Sequence, residues 1–63
     1  MTEAQAAWLR KLRDQGPQYI GNVNEKTLRC CDRNGWTTFG PILCRKSTPA
    51  GLAALAAHEE KGK

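Results

Sequence analysis

Four stops cut this chain into short pieces: Gly16-Pro17, Gly35, Gly40-Pro41 and Thr48-Pro49. Glycine takes the left-handed backbone that ends a helix, and proline cannot continue one. Every regular element must fit between these points. With 63 residues in all, the pieces must pack as one small domain. A core of that size stabilises a fold only marginally and gains from a metal, a disulfide or a partner chain. It also leaves little room for a substrate cleft, which weighs against an enzyme.

Thr2 is a good N-cap and Gln5 stands three residues later, the spacing of a capping box. Ala4, Trp8, Leu9 and Leu12 recur at helical spacing on the side that holds Gln5, with Glu3, Arg10, Arg13 and Asp14 around the other. An amphipathic helix of about four turns is expected up to Gly16. Gln18-Tyr19-Ile20-Gly21 reads either as a single edge strand or as a plain connection, with Tyr19 and Ile20 closing over the core. In "NEKTLRCCDRNGW" a second helix starts at Asn24, a better cap than Asn22. Val23 and Leu28 have the spacing of a hydrophobic staple. Glu25 lies where the helix dipole favours a negative charge. Gly35 suits the residue after the helix end, and Trp36 folds back on the last turn. Leu28 and Cys31 face one way, while Lys26, Arg29 and Arg33, at i, i+3 and i+7, face the other.

Trp36-Thr37-Thr38-Phe39 and Ile42-Leu43-Cys44 are rich in strand formers around the Gly40-Pro41 turn. They predict a β-hairpin with a short tip whose return strand ends on Arg45-Lys46. Thr48 caps the last helix and Pro49 opens it. Leu52, Leu55, Ala56 and Glu59 share one face of it. The domain is expected over 1–60, with 61–63 a frayed tail. The expected core is Trp8, Leu9, Leu12, Ile20, Val23, Leu28, Cys31, Trp36, Phe39, Leu43, Leu52 and Leu55.

The formal net charge is +4, from ten Lys and Arg against six Asp and Glu. The excess lies in the middle of the chain, and a net positive chain favours anionic partners, nucleic acid first. No apolar run is long enough to span a membrane. Thr-Glu-Ala-Gln at the start is not a basic segment before an apolar one, so no secretory signal is expected. An odd number of cysteines without a signal points to free thiols in a reducing cytoplasm. Cys30, Cys31, Cys44 and His58 are the candidate metal ligands. Adjacent cysteines on a helix diverge by about 100°, whereas structural zinc sites use pairs two to four residues apart. No metal or other cofactor is therefore expected. Nucleophilic catalysis needs a base beside the thiol, and the single His58 lies on a separate helix. Paired carboxylates and a glycine-rich phosphate loop are both missing from the sequence.

Nucleic acid remains. A helix enters the major groove of DNA when its outer face is hydrophilic and its inner face is anchored. Leu28 and Cys31 anchor the second helix, and Lys26, Arg29 and Arg33 face out. Asn24 and Thr27 stand at its leading end, where such a helix touches bases or phosphates. Arg45 and Lys46 are expected near phosphates from the hairpin.

The runs "LRKLRDQGP" and "KTLRCCDRNGW", a hairpin and "STPAGLAAL", in that order, resemble the small winged-helix DNA-binding domains of bacteria and their phages. In that family a first helix ends in Gly, and the recognition helix reads T-L-x-x-L-x-x-x-G-hydrophobic. A two-stranded wing then returns into a T-P-x-G helix start, here Thr48-Pro49-Ala50-Gly51. The resemblance runs from about Ala4 to Leu55 and rests on order and spacing. Cys31 stands in the usual leucine position. Only Pro17 to Val23 fill the place of the family's middle helix, which is expected as a turn. The resemblance implies an α+β, compact winged-helix-like domain of three helices and one β-hairpin. It implies a phage or prophage regulator of transcription or development that binds double-stranded DNA. A homodimer through the terminal helix is expected to strengthen weak monomer binding. The alternative is a protein-binding module that modulates a host protein through the same basic face, with Trp36 or Phe39 as an aromatic anchor.

Overall fold

The computed structural model describes residues 1–40 and 42–61. The order is α1 (Glu3–Gln15), β1 (Gln18–Tyr19), a 3-10 turn (Ile20–Asn22), α2 (Glu25–Arg33), β2 (Thr37–Phe39), β3 (Cys44–Ser47) and α3 (Pro49–Lys61). Three helices and a three-stranded antiparallel sheet make an α+β architecture consistent with a small winged-helix-like fold. β1 is the edge strand that the sequence left open, and the single 3-10 turn stands where the middle helix was expected as a turn.

Local capping sets the helix ends. The Thr2 hydroxyl accepts from the Gln5 N–H at 3.2 Å, and the Gln5 side-chain carbonyl accepts from the Thr2 N–H at 3.0 Å. This is the expected capping box. Gly16 ends α1 at φ 79°, and its N–H donates to the Leu12 carbonyl. Asn24 caps α2 by accepting from the Lys26 N–H at 2.9 Å. At the other end Trp36 N–H donates to the Cys31 carbonyl and Gly35 N–H to the Asp32 carbonyl, with Gly35 at φ 73°. That pair of bonds is a Schellman motif, and Trp36 is its apolar partner on Cys31.

α1 lies between the other two helices and is buried on two sides. Ala6 and Leu9 meet Leu55 of α3, while Trp8 and Leu12 meet Cys31 of α2. This is why Ala6 is buried and Ala4 is exposed, although the single-stripe reading placed Ala4 inside. Val23 and Leu28 are half-buried against the second cluster, and Trp36 packs against both.

The sheet runs β1-β3-β2, with β1 and β3 paired Gln18 to Arg45 and Tyr19 to Cys44. β2 and β3 pair Thr37 to Ser47, Thr38 to Lys46 and Phe39 to Arg45. The return strand is therefore Cys44–Ser47, and Ile42 and Leu43, expected in it, lie in the connection. Pro41 of the expected turn lies outside the described residues. Register is set from the far end: Thr48 N–H donates to the Trp36 carbonyl at 3.0 Å, and its hydroxyl donates to the Gly35 carbonyl at 2.6 Å. With Thr48 held opposite Trp36, Ser47 must pair with Thr37.

Three expected core residues are surface residues. Phe39 and Leu43 stand beyond the reach of the helices at the hairpin tip, and Leu52 lies on the flank of α3. The inner stripe of α3 is instead Gly51 and Leu55, one turn apart. Tyr19 is also exposed and does not close over the core. Lys61, assigned to the frayed tail, is the last helical residue, while Gly62 and Lys63 lie outside the described residues.

Gly51 is the contact point of α3. A methyl group there would overlap the Trp36 carbonyl and its carbon. In an open helix Gly→Ala stabilises by about 1 kcal/mol. Here Gly51→Ala should destabilise by roughly 1–3 kcal/mol, because the helix must back away from Trp36. Urea unfolding of the variant checks this; a gain in stability would show that α3 does not dock through Gly51.

Candidate nucleic-acid interface

α2 presents its basic side chains as its sequence phase requires. Lys26, Arg29 and Arg33 are all exposed, and with Cys30 they line one shallow depression of about 310 Å³. Cys31 on the opposite side is fully buried, so the helix is held by its inner face. Asn24 is exposed, and its side-chain oxygen is occupied by the capping bond. Thr27 is half-buried at the edge of a groove of about 270 Å³ between α1 and α2, beside Lys11, Trp8 and Val23. The structure thus gathers Lys26, Arg29 and Arg33, with Asn24 and Thr27 along their leading flank.

The two hairpin residues do not join them. Arg45 has a side chain only 11% exposed. Its Nε donates to the Asp32 carboxylate at 3.2 Å, and its guanidinium lies over the Phe39 ring at 4.3 Å. Asp32 also accepts from the Thr37 hydroxyl. Arg45 is therefore a fastener between α2 and the hairpin and offers little to a phosphate. Lys46 is exposed, but successive strand residues point to opposite faces. Lys46 pairs across from Thr38, so it lies on the face away from Arg45 and Asp32. Asp32 was missed because its partner is thirteen residues away.

Other ion pairs decide which cations remain available. Glu59 of α3 meets Arg13 at 2.8 Å and Arg10 at 3.7 Å, and Glu3 meets Arg10 and His58. The Arg13 guanidinium also bonds Asp14, which holds the Asp14 carboxyl below its ordinary value and raises that of Arg13. On α2 Glu25 reaches Arg29 at 2.7 Å, with both side chains 75% exposed. Among the described residues Lys26 and Arg33 have no carboxylate within ion-pair distance. The uncommitted positive charge on α2 thus runs along its outer face.

Cys31 lies directly beneath this face. Burial pushes its thiol up to about 11 from the ordinary 9.0, with smaller contributions from Cys30 and Asp32. Cys30, Cys31 and Cys44 are all free thiols. Among the described residues no three His, Cys, Asp or Glu side chains are grouped so as to hold a metal ion.

The hairpin tip is more exposed than the sequence reading allowed, which placed Phe39 and Leu43 in the core and offered Phe39 as an anchor only in its alternative. Phe39, Ile42 and Leu43 are 77%, 89% and 60% exposed. Ile42 and Leu43 also take the left-handed backbone, at φ 35° and 53°. That conformation costs an L-residue about 1–2 kcal/mol each. The available signal was three large apolar residues around one Gly-Pro turn.

No protein-family model, curated protein or solved structure matches the chain.

Two measurements probe the frame under this face. Asp32→Ala should destabilise by roughly 1.5–3 kcal/mol, since Arg45 loses a charged partner in a largely buried position. Arg45→Ala should do the same, and the double variant should cost clearly less than the sum. Additive losses would mean that the pair does not fasten the hairpin. The raised Cys31 pKa favours the neutral thiol in the folded state. Its contribution is full below pH 9 and is lost as pH rises towards about 11, by roughly 2 kcal/mol. Urea unfolding at about pH 8 and about pH 11 should show this loss in the wild type, and Cys31→Ala should lack that component.

Proposed function

We propose that the domain binds double-stranded DNA through the exposed face of α2, without catalysis. The observation that carries this reading is the clustering of three exposed cations on α2, of which Lys26 and Arg33 have no carboxylate within ion-pair distance among the described residues. Arg10 and Arg13 are engaged by Glu59 in part-exposed ion pairs, and Arg45 is held by Asp32 in a largely buried one. Lys26, Arg29 and Arg33 stand on the outer face of one anchored helix, at the spacing that points them together. Such a helix fits the major groove, with its first turn towards the bases. The Glu25–Arg29 pair is exposed and readily released to a phosphate or a base edge. Asn24 and Thr27 flank the approach, Lys46 adds a cation on the far face of the hairpin, and Arg45 serves by fixing the hairpin against α2.

The likeness in element order to the winged-helix regulators of bacteria and phages supports a regulatory role in transcription or phage development. Three free thiols suit a reducing cytoplasm. Among the described residues no helix is long and apolar enough to cross a membrane. A second reading has the same basic face meet an acidic surface on a host protein. It is favoured by the exposure of Phe39, which supplies an aromatic anchor. Trp36 cannot supply one, because it packs in both core clusters.

Fluorescence anisotropy against a labelled duplex separates the two. Three phosphate contacts predict a slope of about −2.7 in log affinity against log salt, which is roughly a fortyfold loss from 50 to 200 mM. Arg29→Ala with Arg33→Ala should reduce the slope to about −0.9 and weaken binding at least tenfold. Both positions are exposed, so the circular dichroism spectrum should not change. Unchanged binding by the double variant would remove α2 as the DNA surface. A weakly salt-dependent complex with an acidic protein would favour the second reading.

A further inference from the structure

The groove between α1 and α2 is lined by four polar side chains, Lys11, Tyr19, Asn24 and Thr27, and by no carboxylate. All four can donate a hydrogen bond. Asn24 has its side-chain oxygen on the Lys26 N–H, which leaves its amide NH2 to donate. Lys11 is exposed, and among the described residues no carboxylate lies within ion-pair distance of it. The acidic residues of α1, Glu3 and Asp14, pair instead with Arg10 and Arg13. Tyr19 is 58% exposed, yet its ring is seated: a methyl group at Gly21 would overlap it. Trp8 also lines the groove, and among the described residues its indole N–H is the buried side-chain donor that has no partner. A lining of donors around one ammonium selects anionic oxygen as its ligand.

The groove is continuous with the basic face of α2. Asn24 and Thr27 also line the next depression, together with Lys26 and Cys30. Those two in turn line the depression that holds Arg29 and Arg33. Lys11 and Arg33 therefore stand at opposite ends of one surface. At about 270 Å³ the groove is smaller than a pocket that encloses a drug-sized ligand, roughly 300–1,000 Å³. It suits a group carried on a larger partner. We propose that it receives a backbone phosphate of the DNA, one contact beyond the α2 face. Lys11 is the ion partner, and Tyr19, Asn24 and Thr27 supply hydrogen bonds. The proposal rests on the reading of α2 as the DNA surface and extends it onto α1. A phosphate held there fixes the orientation of the leading end of α2, because phosphate contacts set register on a duplex.

Anisotropy of the full chain with a labelled duplex tests this. A phosphate in the groove steepens every slope expected of α2 alone by about 0.9, so the wild type should read about −3.6. Lys11→Ala should return the slope to about −2.7 and weaken binding roughly eightfold at about 0.1 M salt. Lys61→Ala removes the same charge from the end of α3 and should leave the slope alone. Tyr19→Phe should weaken binding a few-fold at an unchanged slope, since a hydroxyl releases no counterion. Lys11 and Tyr19 are exposed, so neither variant should alter the circular dichroism spectrum. A Lys11→Ala variant that keeps the wild-type slope, or that Lys61→Ala matches, overturns the proposal. So does quenching of tryptophan fluorescence by millimolar inorganic phosphate in a protein whose DNA affinity ignores Lys11, which would make the groove a small-anion site. The α2 reading fails separately, through normal binding by the Arg29→Ala, Arg33→Ala variant. A wild type that binds no duplex overturns both.

Discussion

The fold depends on the corner at Trp36. Its N–H closes the end of α2 on Cys31, and its carbonyl accepts the first N–H of the α3 cap. Its ring packs on both clusters of the core, one on each side of α1. Gly35 supplies the left-handed turn that aims the chain into β2, and Gly51 lets α3 close on the Trp36 backbone. Among the described residues six hydrophobic ones are buried, far too few for a redundant core. One aromatic side chain and its two peptide groups therefore join α2, β2 and α3.

That corner determines the electrostatics. Once Thr48 is seated on Trp36, the hairpin register places Arg45 opposite Phe39 and within reach of Asp32. Seating Leu55 against Leu9 brings Glu59 to Arg10 and Arg13. Exposed pairs of the second kind contribute little individually. The Asp32–Arg45 bond is worth more, because Arg45 has left most of its water behind. The result is that Arg45 becomes a fastener, while Arg10 and Arg13 are engaged by Glu59 near the surface. The face of α2 keeps its charge because that helix is held from below by Cys31 and Leu28 and at its side by Asp32.

The same register leaves the hairpin overhanging. Thr37, next to the corner, is buried, while Phe39, two residues on along the same face of the strand, is exposed. The helices cover the near end of the sheet and stop. The apolar tip is thus a consequence of where the register carries the hairpin relative to the helices.

The sequence by itself determined whatever is closed by hydrogen bonds between near neighbours. The caps at Thr2, Asn24 and Thr48, the stops at Gly16 and Gly35, and the outward set Lys26, Arg29 and Arg33 were all legible. Each depends on residues at most five apart and on helical period. The alternation of a strand puts Arg45 and Lys46 on opposite faces, although both were expected together at phosphates. Tertiary structure alone decided the hairpin register, the partner of Arg45, the second buried side of α1, and the exposure of Phe39, Leu43 and Leu52. Those depend on where α3 docks, which is set by a glycine meeting a carbonyl fifteen residues earlier. No periodicity records such a contact, because it arises only when two completed elements meet.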